Sequence, residues 1–231
     1  MDAGLFHASS AMRAGEMRLE TIAHNIANVS TRGYKRETTF TQALQTTRAG
    51  GTRVVSGSRP DMSQGELEAN GNPFDLALDG RGWFAIETPS GRSYTRDGSF
   101  RLDERGSLLT QDGFPVAWRG ARGVLRPAAE AVVVDSDGRV RQGESFVGQL
   151  DLVDLDPATR LAPTAEGRWI AVGGARETPS RSTVRQGFVE RSNVDAMDEL
   201  VALITIQRSF ESAATAMRTI EQSYRRLNQP R

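Results

Sequence analysis

Apolar residues recur every seven positions at both ends of this chain, and no other feature of the sequence restricts its fold as much. In the last helix-like segment, Asn193 to Leu227, the residues Leu203, Phe210, Met217 and Tyr224 are seven apart. Ile206, Ala213, Ile220 and Leu227 follow each of them by three. Four successive a/d pairs form a seam for packing against another helix. At the opposite end Leu5, Met12, Leu19 and Ile26 are also seven apart, with Ile22 and Val29 at the +3 positions. The pattern predicts a mixed fold: N- and C-terminal α-helices paired as a coiled coil, with a separately folded middle.

The N-terminal helix is expected over residues 4 to 30, with Gly33 as its stop after the turn residues Asn28, Ser30 and Thr31. Many small residues lie beside its stripe, among them Ala8, Ala11, Ala14, Gly15 and Ala23, and they permit close approach of another helix. At the other end, Ser192 with Asp195 fits a capping-box start for the C-terminal helix. Four segments follow: 1–36 as N-terminal helix and motif, 37–73 as extended connector, 74–187 as central β domain, and 188–231 as the C-terminal helix that packs with 1–36. The connector is polar and rich in Thr, Gly, Ser and Arg, with room only for short strands such as Arg53 to Val55.

The central grammar is that of an antiparallel β domain. Short apolar runs (Phe74–Leu78, Trp83–Glu87, Ser93–Thr95, Ser99–Leu102, Ser107–Thr110, Phe114–Trp118, Val132–Val134, Val147–Val153 and Trp169–Val172) alternate with turn dipeptides. Asp79-Gly80, Asp97-Gly98, Asp112-Gly113 and Asp137-Gly138 are dipeptides that hairpins prefer. Trp83, Phe84, Phe100 and Trp169 are the expected core anchors, and residues 175–187 read as a loop.

The residue inventory argues against most chemistry. There is no cysteine, which removes thiol catalysis, disulfides and Cys-based zinc sites. His7 and His24 are the only histidines, and neither accompanies a nucleophile motif, so the chain is expected not to be an enzyme. Asp135-Ser136-Asp137-Gly138 hints at a calcium loop, but the twelfth position is Phe146 rather than Glu. No metal, cofactor or catalytic residue is therefore expected. Lys35 is the sole lysine, and 29 basic residues balance 29 acidic ones, which argues against nucleic-acid binding. No run is long and apolar enough for membrane insertion. Arg13, Glu16, Arg18 and Glu20 interrupt what would be the apolar core of a cleavable signal peptide.

Three motifs resemble one family. Residues 24–36 resemble the N-terminal motif of bacterial flagellar rod and hook proteins, through Asn25, Asn28, Thr31, Gly33 and Lys35, with Tyr34 in place of Phe. Leu76 to Phe84 and Tyr94 to Phe100 resemble its internal β motifs. Ser192-Asn193-Val194 and Gln207-Arg208 resemble its C-terminal ones, with Arg191 where the family has glycine. The resemblance implies a structural subunit of the flagellar basal-body rod, the drive shaft that carries torque from motor to hook. It further implies unfolded passage through the flagellar type III export apparatus and assembly in the periplasm. The partners would be copies of itself and other rod or hook subunits, with the paired helices at the axis and the β domain outside. The opening Met-Asp-Ala-Gly, the short 37–73 region and a length of 231 residues favour the proximal-rod kind. The N-terminal motif and the Gln186–Glu190 run are closer to the distal-rod kind.

The seam itself points the same way. Met197, Leu200 and Ile204 add a second apolar stripe to the C-terminal helix, more surface than one pairing can bury. Heterologous contacts of that sort, when they do not close, generate filaments. The competing reading is a soluble periplasmic or cytoplasmic ligand-binding β module whose helices only dimerise.

Overall fold

The computed structural model describes residues 2–45, 52–120, 124–126, 130–164 and 167–227; for 2–11, 41–45, 52–56, 216, 217 and 220–227 it describes the backbone alone. Two compact units result. One comprises Met1–Val29, Lys35–Met62 and Val194–Arg231, the other Ser30–Tyr34 and Ser63–Asn193.

The first unit holds helix α1 (Asp2–Ala27), a hairpin of β1 (Glu37–Gln45) and β2 (Thr52–Pro60), and, at the far end of the chain, helix α2 (Ala196–Leu227). Helix α1 ends before the expected Ser30 because Asn28 closes it. The Asn28 backbone N–H is shared between the carbonyls of His24 at 3.2 Å and Asn25 at 3.1 Å, and its side-chain amide donates to His24 O at 2.9 Å. Carbonyls that would have gone unpaired in the last turn are thereby satisfied. Val29 consequently sits in the turn beyond the helix. Gly33 is not the helix stop. It adopts φ +65°, a left-handed conformation, later in the connection.

Helix α2 also starts later than its sequence suggests. Asp195, not Ser192, is the cap: its Oδ1 accepts the backbone N–H groups of Met197 at 2.8 Å and Asp198 at 3.2 Å. Asn193 is drawn away, its amide donating to Ser63 O at 3.1 Å and Ser63 Oγ at 2.9 Å. Residues 37–45 and 52–60 pair as regular antiparallel strands, from Glu37↔Pro60 to Gln45↔Thr52. Thr-rich β1, and β2 with Val54 and Val55, carry β propensity without apolar alternation, so the pattern that marks a strand in sequence is missing.

The second unit is entirely antiparallel in its registered pairs. Its strands are β3 (Leu67–Ala69), β4 (Leu76–Asp79), β5 (Trp83–Thr88), β6 (Gly91–Thr95), β7 (Arg101–Leu102), β8 (Leu108–Leu109), β9 (Val132–Val134), β10 (Arg139–Gln142) and β11 (Ser145–Gln149). They continue as β12 (Leu152–Leu155), β13 (Arg160–Pro163), β14 (Trp169–Val172), β15 (Glu177–Pro179), β16 (Thr183–Gln186) and β17 (Phe188–Glu190). The central six-stranded sheet runs β13-β14-β6-β5-β12-β15, and β9, β10 and β11 make a second sheet of three. The period of two along β5 sends Phe84 and Ile86 into one core with Leu76, Leu78 and Phe100. It sends Trp83 and Ala85 into another with Tyr94 and Trp169. Phe84 and Phe100 meet edge to face at 5.1 Å, and Trp83 and Trp169 at 6.2 Å, so all four expected anchors are buried, in two clusters rather than one.

Two sequence expectations change here. The apolar run Val147–Val153 is not one strand. It is shared by β11, in the three-stranded sheet, and β12, in the six-stranded one. Residues 175–187 are not a loop but supply β15 and β16, and the latter pairs with β4 from Thr183↔Asp79 to Gln186↔Leu76. Only Val184 in β16 is buried and apolar, so no alternation announces the strand. Its partner lies about a hundred residues upstream.

Candidate assembly interface

Within the first unit α1 and α2 lie side by side and antiparallel. Gly15 faces Phe210 so closely that a Cβ at position 15 would fall 2.9 Å from Phe210 Cε2. Nearer the other end, Asn25 Nδ2 donates to Glu199 Oε1 at 3.3 Å. Of the seam residues, Ile22 is buried; Met12, Leu19 and Ile26 on α1 and Leu203, Ile206, Phe210 and Ala213 on α2 are half-buried. Val29 is half-buried in its turn. The side chains of Leu5, Met217, Ile220, Tyr224 and Leu227 lie outside the described residues.

Glu199 is the residue that sequence inspection missed. Only 1% exposed, it accepts from Arg36 Nε at 2.5 Å as well as from Asn25. Asn25 also clasps the first residue of β1. Its Nδ2 donates to Glu37 O, and its Oδ1 accepts the Glu37 N–H, both at 2.9 Å. One buried polar cluster therefore joins the end of α1, the root of the hairpin and the first turn of α2. Charge burial of this kind is sustained only by such pairing and hydrogen bonding. A signal was present in the sequence: Glu199 occupies the d position one heptad before Ile206, where an acid is out of pattern, and Gly15 occupies the d position before Ile22.

The other motif residues have individual roles. Lys35 is 1% exposed and is the largest fully buried side chain among the described residues. Within the second unit, the Thr31 carbonyl accepts the Tyr34 N–H at 3.4 Å, and the Tyr34 carbonyl accepts the Asn193 N–H at 3.5 Å. Gly33 donates its N–H to Glu190 O at 2.8 Å, and a side chain there would collide with the backbone of Arg96 and Asp97. Ser192 is half-buried and Val194 buried, whereas Gln207 and Arg208 are exposed on α2.

A second buried ion pair, also missed in sequence, holds the β unit together. Arg96 and Glu190 have side chains 5% and 0% exposed and approach to 3.3 Å. Arg96 Nη2 donates to Gly80 O at 2.9 Å, Glu190 Oε1 accepts the Gly65 N–H at 3.1 Å, and the guanidinium lies 5.6 Å from the Trp83 ring centroid. Burial pushes the Arg96 pKa below its ordinary value, and Glu190 opposes the shift.

Beside the α1-facing seam, α2 displays Met197, Leu200, Val201 and Ile204, at 70%, 43%, 61% and 51% exposure. These are apolar residues at i, i+3, i+4 and i+7, a stripe on one helix face. Among the described residues there is no cluster of metal-ligating side chains, and no helix is long and apolar enough to cross a membrane.

Three family models match the chain in order. They are "Flagella basal body rod protein" over residues 5–35, "Flagellar hook protein FlgE/F/G D1 domain" over 77–142, and "Flagellar basal body rod FlgEFG protein C-terminal" over 185–229. The flagellar basal-body rod protein FlgF of Mesorhizobium japonicum is 36% identical over 224 residues, covering 94% of this chain and 93% of the relative. FlgF of Rhizobium meliloti is 35% identical over 229 residues, covering 96% and 95%. The rod protein FlgG of Buchnera aphidicola (subspecies Schizaphis graminum) is 31% identical over 258 residues, covering 97% and 98%.

Proposed function

The chain belongs to the flagellar basal-body rod protein family and is a structural subunit of the rod, and from that premise we propose how it assembles. Helices α1 and α2 pair as a coiled coil within one subunit, through Met12, Leu19, Ile22 and Ile26 on one side and Leu203, Ile206, Phe210 and Ala213 on the other. The outer face of α2 then packs against neighbouring rod or hook subunits.

The observation that carries this reading is the exposed stripe of Met197, Leu200, Val201 and Ile204 on a helix already engaged by its other face. These side chains are already about half covered, so completing their burial is worth about 1 kcal/mol each, a favourable contribution repeated at every contact around an axis. The family's function is structural, and the proposal assigns no catalytic residue. Passage through the flagellar export apparatus and assembly in the periplasm belong to the same proposal, motivated by the N-terminal motif. The ligand-binding module is not favoured.

We favour the proximal-rod kind. The short 37–73 region and the alignment lengths support it. The alignments with FlgF of M. japonicum and R. meliloti span 224 and 229 positions, within the 231 residues of this chain. The alignment with FlgG of B. aphidicola spans 258 positions, more than the 231 residues of this chain, and so contains segments that have no counterpart here.

The test is to introduce Val201→Asp and Ile204→Asp singly in the host. Both positions are exposed in the single chain, so each purified variant should keep its stability within about 0.5 kcal/mol. Motility and incorporation into basal bodies should nonetheless be lost. Normal swimming with either variant refutes the outer face as an assembly surface.

A further inference from the structure

Heptad repeats are degenerate: sliding one helix by seven residues, about 10.5 Å, brings a/d positions back opposite a/d positions. The apolar pattern alone therefore leaves α1 and α2 several registers. We propose that Gly15 and Glu199 are the positioning residues that select one of them, each blocking slippage in one direction. The inference rests on the reading that the two helices pair within a subunit.

The register follows from the contact of Gly15 with Phe210. Stepping four residues forward on α1 and four back on α2 places Leu19 opposite Ile206, and three more place Ile22 opposite Leu203. Another four bring Ile26 opposite Glu199, in agreement with the hydrogen bond from the adjacent Asn25. Stepping the other way sets Met12 against Ala213. Two layers thus match a large side chain with a small one, and one layer ends the seam with a charge.

Slippage by one heptad in the first direction sets Phe210 against Ile22 and Ala213 against Leu19. The first of these contacts sets the ring against a β-branched side chain instead of the bare backbone of Gly15, and overpacking opposes the shift. Slippage in the second direction sets Leu203 over Gly15, leaving a void, and carries Glu199 back to Leu19, away from Asn25 and Arg36. A carboxylate would then be buried against an apolar side chain with its cation lost, which is strongly unfavourable. Arg36 cannot follow, because Asn25 holds the neighbouring Glu37 by both backbone groups at 2.9 Å. A buried polar residue that specifies helix register at some expense in stability is a known device of paired helices.

The chain contains no cysteine, so register can be read by engineered disulfides in the dilute full-length protein. Met12→Cys with Ala213→Cys reports the register described above. Met12→Cys with Ile206→Cys reports slippage in the second direction. With Glu199 intact, only the first pair should close under mild oxidant. Adding Glu199→Leu should raise the slipped product by about an order of magnitude. Glu199→Gln, which keeps the shape and removes the charge, should raise it less and guards against a variant that fails to fold. Equal closure of both pairs with Glu199 intact, or no rise in either variant, overturns the register proposal while leaving helix pairing standing. Failure of both pairs to close overturns pairing and the register proposal with it. Loss of stability alone would not create the slipped cross-link, which separates positioning from mere structural support.

Discussion

At the residue scale, the chain places its buried charges where distant segments must be held. Arg96 and Glu190 are 94 residues apart in sequence, yet they meet at 3.3 Å with both side chains nearly inaccessible. Removing one partner strands the other, so Arg96→Met or Glu190→Gln should each cost about 3–5 kcal/mol in urea unfolding of the full chain. The double variant should cost clearly less than the two together. Gly98 is constrained differently: a Cβ there would collide with the Leu76 carbonyl, so Gly98→Ala should destabilise the protein although it adds one methyl group. Tyr94 supplies a test by pH. Burial, and then its hydrogen bond to Glu177, push the phenol above its ordinary 10.0. The native state therefore keeps a proton that the unfolded chain releases, and the stabilisation is fully present below pH 10 and lost as pH rises further. Stability measured from about pH 9 to about pH 11 should fall more steeply for the parent chain than for Tyr94→Phe.

At the scale of elements, the end of α1 and the start of α2 are each set by one side chain. Asp195 satisfies two N–H groups of the first turn of α2, so Asp195→Ala should cost about 1 kcal/mol, with the loss of helix signal on warming starting at lower temperature. Asn28 performs the corresponding service at the end of α1. The hairpin of β1 and β2 draws its support from outside itself, since a two-stranded ribbon is marginal alone. Asn25 ties its root to α1, and the Asp61 N–H donates to Arg36 O at 2.7 Å just beyond its closing pair. Leu203→Asp strikes the α1-facing seam instead of the outer face. It should reduce helix content in the purified chain and abolish motility, while leaving the tryptophan environment of the β unit unchanged.

At the scale of the whole molecule, the paired ends and the family relation describe a part that completes itself only in company. The isolated chain should sediment largely as a monomer, because the outer stripe of α2 needs neighbours supplied in the right geometry. A compact dimer with protease-resistant termini would instead support a module that dimerises through its helices. Deleting residues 1–30 should block incorporation into the rod. Secretion of the truncated protein, assayed separately, distinguishes lost packing from lost export. Deletion of the gene, followed by electron microscopy of purified basal bodies, should show a rod that stops short.

The sequence by itself determined what depends on neighbours a few positions away. The heptads located both helices to within a few residues. The Asp-Gly turns and short apolar runs marked the antiparallel domain, and the motifs around Asn25, Tyr94 and Ser192 led to the family. Local periodicity is set by backbone geometry, so it survives in the linear text. The tertiary structure alone decided which segments meet. That Glu199 receives Asn25 across 174 residues, that β16 returns to β4, and that one apolar run serves two sheets are outcomes of long-range pairing. No periodicity encodes them, because each is chosen by competition among many locally equivalent partners. The seam shows both halves of the lesson. Its heptads announce a partner, and only the fit of Phe210 on Gly15 and of Glu199 beneath Asn25 and Arg36 says where that partner sits.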